Sequence, residues 1–275
     1  MMDGRSQAGA RRRSLNVLVV LLLAASAGPA LAQSEPAAAL PADDPATVPP
    51  PRLSNPADPL EGLNRKTFAF NEGLDRVVLK PVAEGYKKAV PEPVRTGIGN
   101  VFGNFTDAWS AVNQLLQGKL QYGLEMGMRV AVNTFFGLGG VIDVASDAGL
   151  EKRSEDLGQT LGKWGFGPGP YLVLPVLGPS DVRDTIALPV DSLATPALLA
   201  NETSTQVGIT LLKVVDTRAS LLGATGIVDS IALDKYAFIR DAYLARRRNL
   251  VYDGDPPEEK EPDTESAPET KGDAK

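Results

Sequence analysis

The chain is 275 residues long, with 43% hydrophobic and 23% charged side chains and a formal net charge of -6. It has no cysteine and no histidine, which excludes thiolate and imidazole nucleophiles, disulfides and ordinary zinc sites. The acidic balance argues against nucleic acid as a partner, and no metal or cofactor is expected.

At the N-terminus Arg5, Arg11, Arg12 and Arg13 precede an apolar run from Val17 to Ala25, and Ser26, Gly28 and Pro29 lead into Ala30-Leu31-Ala32. A basic start, a short apolar core and small residues before a cleavage point form a secretory signal. The run is about half the length that a membrane span needs. Residues 1–32 are therefore read as a signal peptide cut between Ala32 and Gln33. Residues 33–56 are rich in Pro and Ala and make a linker. The folded unit covers 57–252. Residues 253–275 hold nine acidic side chains against three basic ones, with four prolines, and read as an acidic disordered tail.

Inside the folded unit the periodicity is helical. Asp107 is placed to cap a helix whose apolar stripe is Trp109, Val112, Leu116 and Leu120. Val207, Leu211, Val214, Arg218 and Leu222 repeat that spacing, as do Tyr236, Arg240, Tyr243 and Arg247. Only Tyr171–Leu174 tempts a strand assignment, so the predicted fold class is all-α.

The stretch from Gln121 to Phe136 is apolar nearly all round. Glu125, Arg129 and Asn133 form a single polar line at i, i+4, i+8, narrower than the polar face of a soluble surface helix. Two readings stand: a helix that turns this line toward a wet interior, or a buried helix with an internal Glu125–Arg129 pair. After it comes Gly137-Leu138-Gly139-Gly140, which reads as a C-cap and turn or as a hinge whose glycines reach positive φ. Residues 162–184 alternate Gly and Pro around an apolar run from Tyr171 to Leu177. The helix end carrying Arg240, Arg246, Arg247 and Arg248 suits charge at a helix C-terminus. After the signal no segment offers the roughly 20 apolar residues of a transmembrane helix.

Several longer motifs, in order, resemble the MlaA/VacJ outer-membrane phospholipid-transport family. They are DPLEGLNRKTFAFNEGLD (58–75), KPVAEGY (80–86), VPEPVR (90–95), NVFGNF (100–105), VNQLLQGK (112–119), VNTFFGLGGVIDVAS (132–146), DLGQTLGKWGFGPGPYLVLPVLGPSDVRD (156–184) and DKYAFIRDAYLARR (234–247). The resemblance implies a ring-like helical domain lying in the inner leaflet of the outer membrane, with a central amphipathic channel. It implies phospholipid as cargo, removed from the outer leaflet to maintain lipid asymmetry. The implied partners are a trimeric outer-membrane porin and a periplasmic lipid-carrier protein, with no covalent chemistry. It also places a flexible loop beside the channel, favouring the hinge reading of Gly137, Gly139 and Gly140.

Lipid tails explain such a design. At about 0.8 kcal/mol per buried CH₂, two acyl chains resist leaving a bilayer by roughly 20 kcal/mol. A conduit must shelter them while giving the headgroup a polar path. Lipid-channel candidates are then Glu125, Arg129, Asn133, Phe70 and Asn71, with Phe68 left to the core. Trp164 and Tyr171 suit a membrane-interface level. The location expected is the periplasmic side of the outer membrane. Without a lipobox cysteine the chain is expected not to be an acylated lipoprotein, so that anchoring rests on its apolar girth and a porin. Two other readings are a soluble periplasmic adaptor and an envelope hydrolase using acids among Asp143, Asp147, Glu155, Asp156, Asp181 and Asp184.

Overall fold

The computed structural model describes residues 55–258; the cleavage point at Ala32 and Gln33, nearly all of the linker and most of the acidic tail lie outside them. Helix α1 (Glu61–Leu74), a π-helical turn (Asp75–Leu79) and α2 (Lys80–Ala89) run on without a break. Pro81 accounts for the π turn. A proline inside a helix has no N–H to give and crowds the carbonyl four residues back, here that of Val77. The wider turn absorbs this, with the Lys80 N–H donating to the Asp75 carbonyl.

A Pro-led start opens α3 (Glu92–Leu116), and α4 (Leu120–Phe135) follows after Gly118 turns the chain at φ +78°. Then come α5 (Val144–Asp147), α6 (Leu157–Lys163), strands β1 (Tyr171–Leu174) and β2 (Gly178–Asp181), and α7 (Val182–Asp191). A 3-10 turn (Pro196–Leu199) leads to α8 (Thr203–Ser220), α9 (Leu222–Ile231) and α10 (Lys235–Val251). Asp143, Asp156, Asp181 and Asp234 cap α5, α6, α7 and α10, each carboxylate accepting a backbone N–H of the first turn, the usual use of Asp at that position. Asp107 is not a cap. Helix α3 starts well before its stripe suggested, at Glu92, leaving Asp107 buried within it.

Contacts between elements close into a circuit. The π turn joins α1 to α2, α2 packs on α8, α8 on α3, α3 on α6, and α6 on α10; α10 touches β2, and β1 returns to α1. The arrangement is helical and ring-like, apart from the antiparallel hairpin of β1 and β2, which pairs Tyr171 with Asp181 and Leu174 with Gly178.

That hairpin is what the Gly/Pro-rich stretch builds, and α1 completes its free edge. The Asn64 amide donates to the Tyr171 carbonyl (3.0 Å) and accepts from the Val173 N–H (2.9 Å). One helical face along, Asn71 donates to the Leu174 carbonyl (2.9 Å) and accepts from the Val176 N–H (2.7 Å). The Tyr171 N–H itself goes to the Ala57 carbonyl (2.8 Å). Two asparagines seven residues apart thus act as a substitute strand. Tyr171 is fully buried, packed on Tyr236 and Tyr243 with Val173 and Phe68 nearby. The expected membrane-interface place for Tyr171 is therefore corrected: its ring is core, as Phe68 was expected to be.

Asn64→Leu should lower unfolding stability by about 1–3 kcal/mol, since it strands two buried backbone groups. Asn71→Leu should cost less, because its site is only half-buried and water can substitute. Urea unfolding in mild detergent, followed by circular dichroism, measures both.

Candidate functional site

Polarity in this molecule is inverted. Among the described residues the buried set holds more polar and charged side chains than apolar ones, and the apolar ones include several alanines. The large apolar side chains face outward instead. On α4, Leu120, Leu124, Met128 and Phe135 are exposed while Gly123, Met126, Arg129 and Asn133 are buried. The following turn continues this shell with Phe136, Leu138, Val141 and Ile142. A contiguous apolar surface of this extent marks a membrane or protein partner. No helix among the described residues is long and apolar enough to cross a membrane.

Enclosed beneath that shell, Arg129 has no exposed surface. Its Nε donates to Asp107 on α3 (3.3 Å), and its Nη2 reaches both Asp143 oxygens (3.0 and 3.1 Å). Both terminal nitrogens lie 3.2 Å from Ser146 Oγ, and Nη1 also donates to the Leu150 carbonyl. Asn133 joins the knot: its amide donates to Asp143 Oδ1 (2.9 Å) and accepts from the Ala145 N–H (2.8 Å). Lys152 caps it from outside, with Nζ 3.0 Å from Asp107 Oδ1. Burial pushes the Asp143 carboxyl up, but hydrogen bonds from Ser146 and Asn133 and the nearby Arg129 charge outweigh it and hold the group down at about 2.

The expected Glu125–Arg129 pair is absent from this set. Glu125 accepts from Gln121 instead (2.9 Å), and Arg129 turns to α3 and the loop after α4, leaving no face for a passing headgroup. Asn133 lies at the edge of a cleft of about 40 Å³ with Asn100, Asn104, Asp107, Asp143 and Lys152. Phe70 is 57% exposed and Trp164 54%, with the Trp164 Nε1 donating to the Leu116 carbonyl (3.1 Å). Asn71 is held by the hairpin. The glycine turn is closely tied: Gly139 and Gly140 donate to Thr134 and Asn133 (3.0 and 2.9 Å), and Ile142 to Gly137 (2.9 Å). A Cβ on Gly137 would come 2.1 Å from the Ile142 carbonyl oxygen, and Gly139 and Gly140 take φ of +73° and +93°. Here the motif is a C-cap and turn.

Asp107, Asn64 and Lys152 escaped sequence reasoning, because their partners sit far off in sequence. Of the acids of the hydrolase reading, Asp147 is exposed, Glu155 is held by Gln117 and Lys119, and the rest are taken up in structure. Asp156 and Asp184 are bound to Arg247, with the Asp156 contacts at 2.7 and 3.0 Å, while Asp143, Asp156 and Asp181 cap helices.

The family model described as "MlaA lipoprotein" matches residues 56–250. The chain belongs to the MlaA family. It is 37% identical over 203 residues to the intermembrane phospholipid transport system lipoprotein MlaA of Shigella flexneri, covering 72% of this chain and 80% of that one. The Haemophilus influenzae protein of the same name is 32% identical over 223 residues, 76% and 85% of the two chains. A solved structure described as "Structural basis for maintenance of bacterial outer membrane lipid asymmetry" superposes with a TM-score of 0.62 at 36% identity, covering 70% of this chain and 98% of that one. The named MlaA relatives are lipoproteins, which contradicts the unacylated expectation as a statement about the family; the sequence itself contains no cysteine.

Arg129→Met should cut folded abundance sharply, by about 3–5 kcal/mol of stability, as for a broken buried ion pair. Adding Glu125→Gln should recover nothing, whereas adding Asp107→Asn should recover part. Unfolding midpoints of the three variants decide it.

Because the folded Asp143 carboxyl lies at about 2, below the ordinary value near 3.9, its stabilisation is complete above about pH 4. It is lost as pH falls toward about 2. The stability gap between wild type and Asp143→Asn should therefore be constant from pH 7 to 5 and shrink below pH 4.

Proposed function

We propose that this chain performs intermembrane phospholipid transport, removing misplaced phospholipid from the outer leaflet of the outer membrane and passing it to a periplasmic carrier. The carrying observation is the inverted polarity: an apolar shell around a largely polar interior suits a protein lying in a leaflet rather than crossing it. The ring-like circuit of helices and the names of the MlaA relatives support the same reading. A trimeric porin is the partner that would hold such a ring at the outer membrane, and the exposed Phe135, Phe136 and Leu138 supply apolar surface for membrane or porin. Phe70 and Trp164 have the exposure that a tail path and an interface level require. Gly137, Gly139 and Gly140 would then act as a hinge by releasing the bonds of their turn. The soluble adaptor reading gains no support from so much outward apolar surface.

The test is expression in a bacterium lacking its own MlaA. The chain should restore low outer-leaflet phospholipid and co-purify in mild detergent with phospholipid. Extraction from the membrane fraction by high salt alone, without bound lipid, would favour the adaptor. Phe135→Asp with Phe136→Asp should leave the fold intact, since both rings are exposed, and should release much of the protein into the soluble fraction. Fractionation with a circular dichroism control reads this directly.

A further inference from the structure

A second charged centre lies apart from the Arg129 knot, with no lining residue in common. The π turn, the first residue of α2, the end of α8, α9 and the start of α10 enclose a cavity of about 160 Å³, lined by Glu72, Asp75, Arg76, Lys80, Arg218, Thr225, Asp229 and Lys235 among others. All three acids in this wall are already engaged. Arg218 binds Asp75 through two nitrogens (2.5 and 2.8 Å) and also reaches Thr225 (3.3 Å). Lys235 bridges Glu72 and Asp229, each at 2.7 Å. Two cations remain. Arg76 and Lys80 are exposed, line the same cavity and have no ion pair among the described residues; Lys80 acts on Asp229 only at longer range.

The surroundings narrow down the ligand. Val77, Val78 and Val82 stand exposed on the same π turn and α2, and Ile227, Ile231 and Leu233 stand exposed around the end of α9. They adjoin the lining residues in the chain, and the lining itself includes Leu222; a free inorganic anion would need the cations but not this apolar surround. The π turn is also an element of a kind that recurs at functional sites. It sets Arg76 and Lys80 four residues apart beside the apolar valines.

The geometry points to this cavity as the seat of a glycerophospholipid headgroup, with Arg76 and Lys80 donating to the phosphodiester and the exposed apolar side chains adjoining it taking the start of the acyl chains. Arg offers its planar fork and Lys a mobile point charge to the phosphate oxygens. The site rests on the phospholipid-transport reading, and names where in the ring the headgroup is held. Arg218 and Lys235 hold the cavity's walls together through their own acids and are not available to the ligand.

The full chain in detergent micelles is titrated with short-chain dihexanoyl phosphatidylglycerol, with dihexanoyl phosphatidylethanolamine and with inorganic phosphate. The Arg76→Gln/Lys80→Gln variant should bind both lipids about tenfold or more weakly, since two charged hydrogen bonds are lost. Its unfolding midpoint should be unchanged, because neither residue is in an ion pair. The Arg76→Lys/Lys80→Arg variant should keep most of the affinity. Wild-type affinity in the double glutamine variant would overturn this site while leaving phospholipid transport standing. No lipid binding by the wild type would sink both. Inorganic phosphate binding as tightly as either lipid would overturn the lipid assignment and make the cavity a phosphate site.

Discussion

A protein that shows its apolar side chains to the outside must satisfy its polar groups within, and the Arg129 knot is where this molecule does so most completely. The guanidinium uses its nitrogens on Asp107, Asp143, Ser146 and a backbone carbonyl, and thereby ties α3, α4 and the loop through α5 into one body. In a low-dielectric setting each unmatched donor is expensive. Completeness of pairing therefore decides whether such a core holds, and the count of apolar contacts matters less. The same economy appears in the hairpin, where asparagine side chains replace a missing neighbouring strand.

Close backbone approach is the second requirement, and it explains the glycines of α3. Helix interiors lose about 1 kcal/mol for each Gly in place of Ala, so Gly97, Gly99 and Gly103 look like poor helix material. A Cβ on Gly97 would meet Val141 at 2.9 Å, and one on Gly103 would meet the Lys152 amine at 3.1 Å. The helix gives up intrinsic propensity to let the apolar loop and the lysine lie against it. The apolar stripe from Trp109 onward showed only the second half of α3, and the first half, with its glycines, was not read as helix.

The contrast between what was legible and what was not follows sequence distance. The helical class, the extent of α4 and its nearly complete apolar girth were visible in local periodicity, and the family motifs carried the ring-like arrangement. Glu125 and Arg129 are neighbours on one helix, which left an internal pair as one of two readings of their polar line. Arg129 instead found Asp107, 22 residues away on α3, and Asp143 beyond the glycine turn. Tyr171 looked like an interface aromatic beside Gly and Pro, yet its ring partners Tyr236 and Tyr243 come from α10. Side chains that pair across elements leave no local pattern to read.

The two cationic centres then differ in a way that bears on function. Arg129 is enclosed and fully spent, and its loss would leave Asp107 and Asp143 short of their shared cation. Arg76 and Lys80 sit on a widened turn that exists because Pro81 interrupts a continuous helix, and the acids around them are bound to other bases. A cation whose donors are all used internally holds a fold together. One left open beside apolar surface and a charged cavity has the chemistry to take an anionic headgroup whose tails need shelter. In a lipid-handling ring the two serve different ends: the closed one joins α3, α4 and the loop that follows into one body, and the open one keeps its donors for a ligand.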